Sequence, residues 1–377
     1  MSNSKILVLW GELPGYLAAC LRTLLADYNV PVFIIVTQSH RHALHMTLQK
    51  FSGFRYLDLS SPDAPEGSEV RRMIVDYGPA ITVAGCPKWG VLPRLARTAK
   101  DCGSLMIWAT DHPWQGSWRD YANSILARLG VVYTGYDAAW VPGHQGRLYA
   151  HAIGFPENRI FPNVLSCDTD KFRPVGIARF HPGASRQWPR VFLFLGRYVP
   201  CKDIATLIKA YAAYRELCTD PWDLWFAGDG PLSSLIPESA GVRNMGYQSP
   251  AGCASLMRQA GTLILPSRWD HWGVVIHEGA CAGLPVLASH GCGAVADLVR
   301  DGYNGYAFPV GDVVSLARLM HQVSASGHAE EMGRNSLNMS YQFSPQLWAQ
   351  TLLIDLPFRL FGQPLVMEEV YVSSSGQ

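Results

Sequence analysis

The chain has 377 residues, 31 Lys and Arg against 30 Asp and Glu, and 48% hydrophobic residues. A net charge of +1 gives no electrostatic drive toward nucleic acid, and the apolar content excludes a disordered chain. At roughly 100–200 residues per domain, the length predicts two domains.

The apolar run Ile6–Trp10 is shorter than the ~7–15 residues of an export-signal core and reads as a buried first strand. No apolar run approaches the roughly 18–20 residues of a membrane span. Nine cysteines without a Cys-x-x-Cys pair point to reduced thiols in a cytoplasmic protein, over a disulfide framework or a zinc site. Peripheral contact with the inner face of a membrane stays open, because it needs only a small exposed surface.

After the first strand, Gly11-Glu12-Leu13-Pro14-Gly15-Tyr16 leads into a predicted helix, Leu17–Ala26. It is not the Gly-x-Gly-x-x-Gly fingerprint, which argues against a dinucleotide dehydrogenase. Further strands are predicted at Val32–Val36, Ala80–Ala84, Leu105–Ala109 and Ala138–Val141. His40, His42 and His45 have metal-ligand spacing, but a solvated loop entering a helix is the simpler reading. Behind the fourth strand stand Asp111, His112, Trp114 and Trp118. The tryptophans suit stacking on sugar or lipid as well as a place in the core. Four prolines between Phe155 and Pro182 should interrupt any helix there. Asp168 and Asp170 have the Asp-x-Asp form of a metal site but sit in this linker.

The α/β alternation then restarts, with strands at Val191–Leu195, Leu224–Ala227, Thr262–Pro266 and Val286–Ala288 and helices at Ile204–Leu217, Ala251–Gln259 and His277–Ala282. Three segments carry chemistry. Gly196, Arg197 and Lys202 follow a strand and precede a helix, where α/β proteins hold phosphates. Arg and Lys together neutralise a diphosphate, although two solvated surface cations fit the same spacing. Gly228 and Gly230 close a strand and permit close approach of a nucleotide base; the pattern is also ordinary turn chemistry. Asp270 stands in a loop, Gly273 opens a helix and Glu278 lies inside it. Carboxylates so spaced suit the hydroxyls of two sugars; taken alone they are a surface acid and a helix acid.

In this order the three segments resemble the retaining family 4 glycosyltransferases of GT-B fold. The family's Gly-Arg…Lys, Gly-x-Gly-x-Leu and Glu-x7-Glu elements match Gly196/Arg197/Lys202, Gly228–Leu232 and Asp270…Glu278, followed by Ala282-Gly283-Leu284-Pro285-Val286. The likeness is strong over roughly residues 190–320 and diffuse before them. It implies an α/β fold of two Rossmann-like domains whose parallel sheets face across a cleft. Residues 1–172 would bind the acceptor, 173–345 the nucleotide sugar, and 346–377 would cross back to the first domain. Arg197 and Lys202 would bind the donor diphosphate, Glu278 the ribose and Asp270 the donor sugar. The backbone amides of Trp272, Gly273 and Val274 would cap sugar or phosphate. Gly15 would approach the donor phosphates and His112 the donor sugar, with Asp111 the alternative. Asp270 stands where the family usually has Glu, which withdraws the carboxylate by roughly 1.5 Å.

The partners implied are a nucleotide-diphosphate sugar and a glycan or lipid-linked glycan of surface polysaccharide synthesis. No cofactor and no obligatory metal are expected. Rival readings are a nucleotide-sugar epimerase or phosphorylase on the same fold, and a non-catalytic sugar-nucleotide-binding subunit.

Overall fold

A computed structural model describes residues 5–38, 44–85, 90–112, 114, 116–183 and 187–365. His40 and His42 therefore lie outside the described residues, as does the side chain of His45. The chain forms two compact units. Unit 1 takes the chain up to Ser166 and resumes at Pro345; unit 2 spans Cys167–Ser344.

Unit 1 alternates strands and helices: β1 (Ile6–Trp10), α1 (Gly15–Ala26), β2 (Val32–Val36), α2 (Leu44–Leu48), β3 (Phe54–Asp58), α3 (Gly67–Tyr77), β4 (Ile81–Ala84) and α4 (Val91–Asp101). It continues through β5 (Leu105–Ala109), α5 (Trp118–Arg128), β6 (Ala138–Trp140), α6 (Gly143–Ala152) and β7 (Ile160–Phe161). All seven strands are parallel, in the order β3-β2-β1-β4-β5-β6-β7. The central strands β1, β2 and β5 are buried at every position, which is why they read as unbroken apolar runs.

Unit 2 repeats the plan with α7 (Thr169–Arg179), β8 (Val191–Leu195), α8 (Ile204–Leu217), β9 (Asp223–Ala227), β10 (Val242–Asn244), α9 (Pro250–Gln259) and β11 (Thr262–Leu265). There follow α10 (Val274–Cys281), β12 (Val286–Ser289), α11 (Val295–Leu298), β13 (Gly305–Phe308), α12 (Val313–Ala325) and α13 (Ala329–Met339). The six parallel strands run β10-β9-β8-β11-β12-β13. Back in unit 1, α14 (Pro345–Gln350), a π-helical turn (Thr351–Asp355) and α15 (Leu356–Phe361) follow. Within unit 1, Trp348 packs on Trp140 with ring centroids 4.5 Å apart, and its indole N–H donates to the Val164 carbonyl at 2.9 Å.

The proline-rich stretch does not exclude a helix. Helix α7 forms there with Pro174 inside it, giving up one backbone bond. Tertiary packing outweighs that loss. A Cβ on Gly176 would come within 2.3 Å of the Cys281 carbonyl oxygen, so α7 lies directly against the end of α10. Arg179 then donates to the Ala282 carbonyl at 3.2 Å and the Met257 carbonyl at 2.6 Å.

Candidate active site

In unit 2 strand order reverses between β8 and β11, and the loops after these strands leave the carboxyl edge of the sheet side by side. Crevices at such switch points are where open α/β sheets take ligands. The loop after β8 carries Gly196, exposed Arg197, buried Tyr198 and, after a turn at Pro200–Lys202, Asp203. Asp203 adopts φ 50° and caps α8, accepting from the Thr206 hydroxyl at 2.8 Å.

Two ion pairs tie this loop to the one after β11. Lys202 Nζ pairs with Asp270 Oδ2, and Arg268 Nε meets Asp203 Oδ2 at 3.1 Å. The Arg268 amide also donates to the Cys201 carbonyl at 2.8 Å. The structure thus joins Lys202 and Asp270, which the sequence places 68 residues apart. Among the described residues Arg197 has no ion pair, so its guanidinium is available to a ligand.

The loop after β12 braces Asp270 from the other side. The Asp270 amide donates to the Gly291 carbonyl at 2.9 Å, and the Gly293 amide donates back to the Asp270 carbonyl at 3.2 Å. Gly293 admits no side chain, since a Cβ would sit 2.1 Å from the His271 carbonyl oxygen. Gly228 and Gly230 serve similarly beside the β8 loop. Their Cβ atoms would lie 1.9 Å from the Gly196 carbonyl oxygen and 2.6 Å from that of Tyr198.

Gly273, at φ 85°, is the residue from which α10 starts. Trp272 is buried, with its ring edge on Phe343 at 5.3 Å. Among the described residues, the amides of Trp272, Gly273 and half-buried Val274 meet no acceptor. Such amides at a helix start attract anionic oxygens. Glu278 is half-buried on α10. Burial pushes its carboxyl up to about 7; nearby His277 opposes the rise, and Cys281 and Asp168 add to it. Its charged surroundings include Asp168 and Lys171 at the start of α7. Behind Glu278, contact with Cys167 and His277 holds the Cys281 thiol well below its usual range, while burial pushes that of Cys167 up.

Unit 1 has its own switch point between β1 and β4. A cavity of about 350 Å³ opens there, lined among others by Trp10, Gly11, Pro14, Tyr16 and Asp111. Burial, with Asp111 nearby, raises the Tyr16 hydroxyl above its ordinary value. Gly15 begins α1, and a Cβ there would meet nothing within 4 Å; the backbone leaves open space. His112 points Nε2 at Asp120 Oδ1, 3.1 Å away, and sets its ring edge on Tyr149 at 5.2 Å. Asp120 is 1% exposed and closes a capping box with Ser117 at the start of α5. Asp111 lines the cavity, and His112 is held by α5.

Beyond Trp118, a surface on α5 goes unnoticed in the sequence. Trp118, Tyr121, Ile125 and Leu129 are all more than half exposed, and their spacing puts them on one helical face. Val131 carries the apolar surface on to a second cavity of about 740 Å³, lined by Arg71, Arg94, Arg97 and Lys100. Its signal was the apolar period through 118–129, hidden because such periodicity usually marks a buried face.

Residues 180–339, all within the second unit, match the model of the family described as Glycosyl transferases group 1. An uncharacterized glycosyltransferase of Methanocaldococcus jannaschii is 29% identical over 160 residues, covering 40% of this chain and 43% of its own. The lipopolysaccharide core biosynthesis glycosyltransferase LpsE of Rhizobium meliloti is 29% identical over 169 residues, covering 43% and 47%. The chain thus spans under half the length of these two relatives. Among solved structures, Anabaena HepE in complex with UDP-glucose superposes with a TM-score of 0.69 at 16% identity, covering 92% of this chain and 98% of that one. The two parallel-sheet units have the GT-B fold.

Proposed function

We propose that the chain is a retaining glycosyltransferase of family 4 that moves a sugar from a nucleotide diphosphate to an acceptor hydroxyl. The observation that carries this reading is the meeting of Lys202 and Asp270 at the β8/β11 switch point, with Arg197 and the first amides of α10 left without partners among the described residues. Cations at that edge suit a diphosphate; carboxylates and amides suit sugar hydroxyls.

In the reaction, the bond from the anomeric carbon to the diphosphate oxygen breaks and the acceptor oxygen bonds to the same face. The departing phosphate oxygen takes the acceptor proton. Arg197 and Lys202 stabilise the charge that develops there, a contribution of about 10²–10³ in rate per donor at comparable sites. Asp270 orients the sugar, and Glu278 holds the ribose. These two cations provide the charge stabilisation that a divalent metal supplies elsewhere, so no metal is required for transfer. The resemblance also assigns Gly15 to the donor phosphates and His112 to the donor sugar. A uridine diphosphate donor is the first choice, supported by the likeness to a protein solved with UDP-glucose.

The acceptor is a lipid-linked glycan at a membrane with anionic lipids, on the cytoplasmic side. The exposed α5 stripe beside four clustered cations supports this, since apolar insertion and charge attraction add at a lipid surface. No described helix is long and apolar enough to cross a membrane, and contact through α5 requires none.

The decisive assay measures nucleotide release from UDP-, GDP- and ADP-sugars with and without candidate acceptors, in chelator, and the anomeric configuration of the product. Acceptor-dependent release with retention is expected. Sugar isomerisation without acceptor would instead identify an epimerase, and binding without turnover a non-catalytic subunit. Co-sedimentation with phosphatidylglycerol vesicles, lost in a Trp118→Ser/Leu129→Ser variant, tests the lipid contact separately.

A further inference from the structure

His277 and Cys281, one turn apart on α10, share a helical face. Cys167, the first residue of unit 2, completes a cluster that the proposed transfer does not use. The ligand atoms of the three residues all lie within 4.8 Å of one another, and each residue is 0% exposed.

The distances fit a bound metal and not a disulfide. Cys167 Sγ and Cys281 Sγ are 3.6 Å apart. Tetrahedral zinc with bonds of ~2.3 Å separates its sulfurs by about 3.8 Å, whereas a disulfide needs ~2.05 Å. His277 Nε2 lies 2.9 Å from the Ser340 carbonyl oxygen. A carbonyl only accepts, so Nε2 carries the hydrogen, and a metal ion replacing the proton on the other nitrogen would be bound through Nδ1. That Nδ1 is buried and, among the described residues, meets no hydrogen-bond partner of good geometry; the neighbour it interacts with is the Cys281 thiol. A backbone carbonyl orienting the far nitrogen is how histidine ligands are usually fixed.

We propose that Cys167, His277 and Cys281 bind one zinc ion, which ties the segment that enters α7 to the helix that carries Glu278. Two thiolates and a dication leave no net charge in the interior, and the fourth position falls to a non-protein ligand. The cysteines stand 114 residues apart, outside any Cys-x-x-Cys pattern, so sequence spacing conceals the site. The ion takes no part in glycosyl transfer, and its test requires no activity.

The chain produced in zinc-supplemented medium and purified without chelator is expected to carry close to one zinc per chain. Cys167→Ser and Cys281→Ser should each lower that content by about tenfold or more. Because serine at a buried position also endangers folding, a second measurement uses the unaltered chain, unfolded in chelator and refolded with or without cobalt. Cobalt should produce a thiolate charge-transfer band and raise the melting temperature. Zinc content near zero without a cobalt band would overturn the site. So would full zinc retention in Cys281→Ser, or a Cys167–Cys281 disulfide detected as a mass two hydrogens lighter.

Discussion

Lys202 and Asp270 are bonded to each other across the switch point of unit 2, with 15% and 17% of their side chains exposed. A diphosphate approaching Lys202 therefore competes with a carboxylate already in place, and Asp270 is held ready for the sugar.

Lys202→Ala leaves the Asp270 carboxylate largely buried without its partner. Turnover should fall by about 10²–10³, with a stability loss of about 2–3 kcal/mol, below the fully buried case because both groups keep some contact with water. Lys202→Ala/Asp270→Asn should recover part of the stability and none of the activity. Denaturant titration and nucleotide-release kinetics together read both effects; additive stability losses would show that the pair is uncoupled.

Two glycines should respond oppositely to alanine. Gly228→Ala forces a methyl to within 1.9 Å of the Gly196 carbonyl oxygen and should cost about 3 kcal/mol or more. Gly15→Ala opens a helix into empty space and should leave stability unchanged or raise it by up to ~1 kcal/mol. If the Gly15 space admits substrate, kcat/KM falls in the second variant while its melting temperature does not.

Asp120→Ala removes the reciprocal cap of α5 and the partner of His112 together. A loss of about 1–2 kcal/mol is expected from the cap. His112→Ala leaves the cap intact, so a fall in kcat at unchanged melting temperature would assign the imidazole to the reaction. Equal stability losses in both variants would make His112 structural.

Vesicle binding through α5 should weaken with salt but not vanish. The screening length shortens from about 10 Å at 0.1 M to 3 Å at 1 M, which removes the attraction of Arg94, Arg97 and Lys100 and spares Trp118 and Leu129. Binding unaffected by salt would mean that the basic cluster does not face the lipid.

Much of the architecture is legible in the sequence because the central strands are buried on both faces. Val32–Val36, Leu105–Ala109 and Val191–Leu195 are uninterrupted apolar runs, and the structure builds them with those bounds. The strands that escape notice lie toward the sheet edges. In β3, Arg55 is exposed; β10 is three residues with two exposed; β13 begins with glycine. Without a second buried face, a strand needs no apolar run. Individual site residues stand out through glycine, arginine and acid patterns, but their pairing does not. That Lys202 reaches Asp270 and that His277 faces two thiols depend on which loops and helices meet, and sequence spacing carries no record of that.

The Trp140–Trp348 contact has a consequence for synthesis. Its two halves belong to one unit but lie on either side of all the residues that build the other. A ribosome delivers Trp140 early and must then complete the whole of unit 2 before Trp348 emerges. The first unit begun is thus the last one finished, and a nascent chain carries an uncovered indole surface throughout that interval. Truncation just before Pro345 should give a product that a chaperone holds, while Cys167–Ser344 expressed alone should fold.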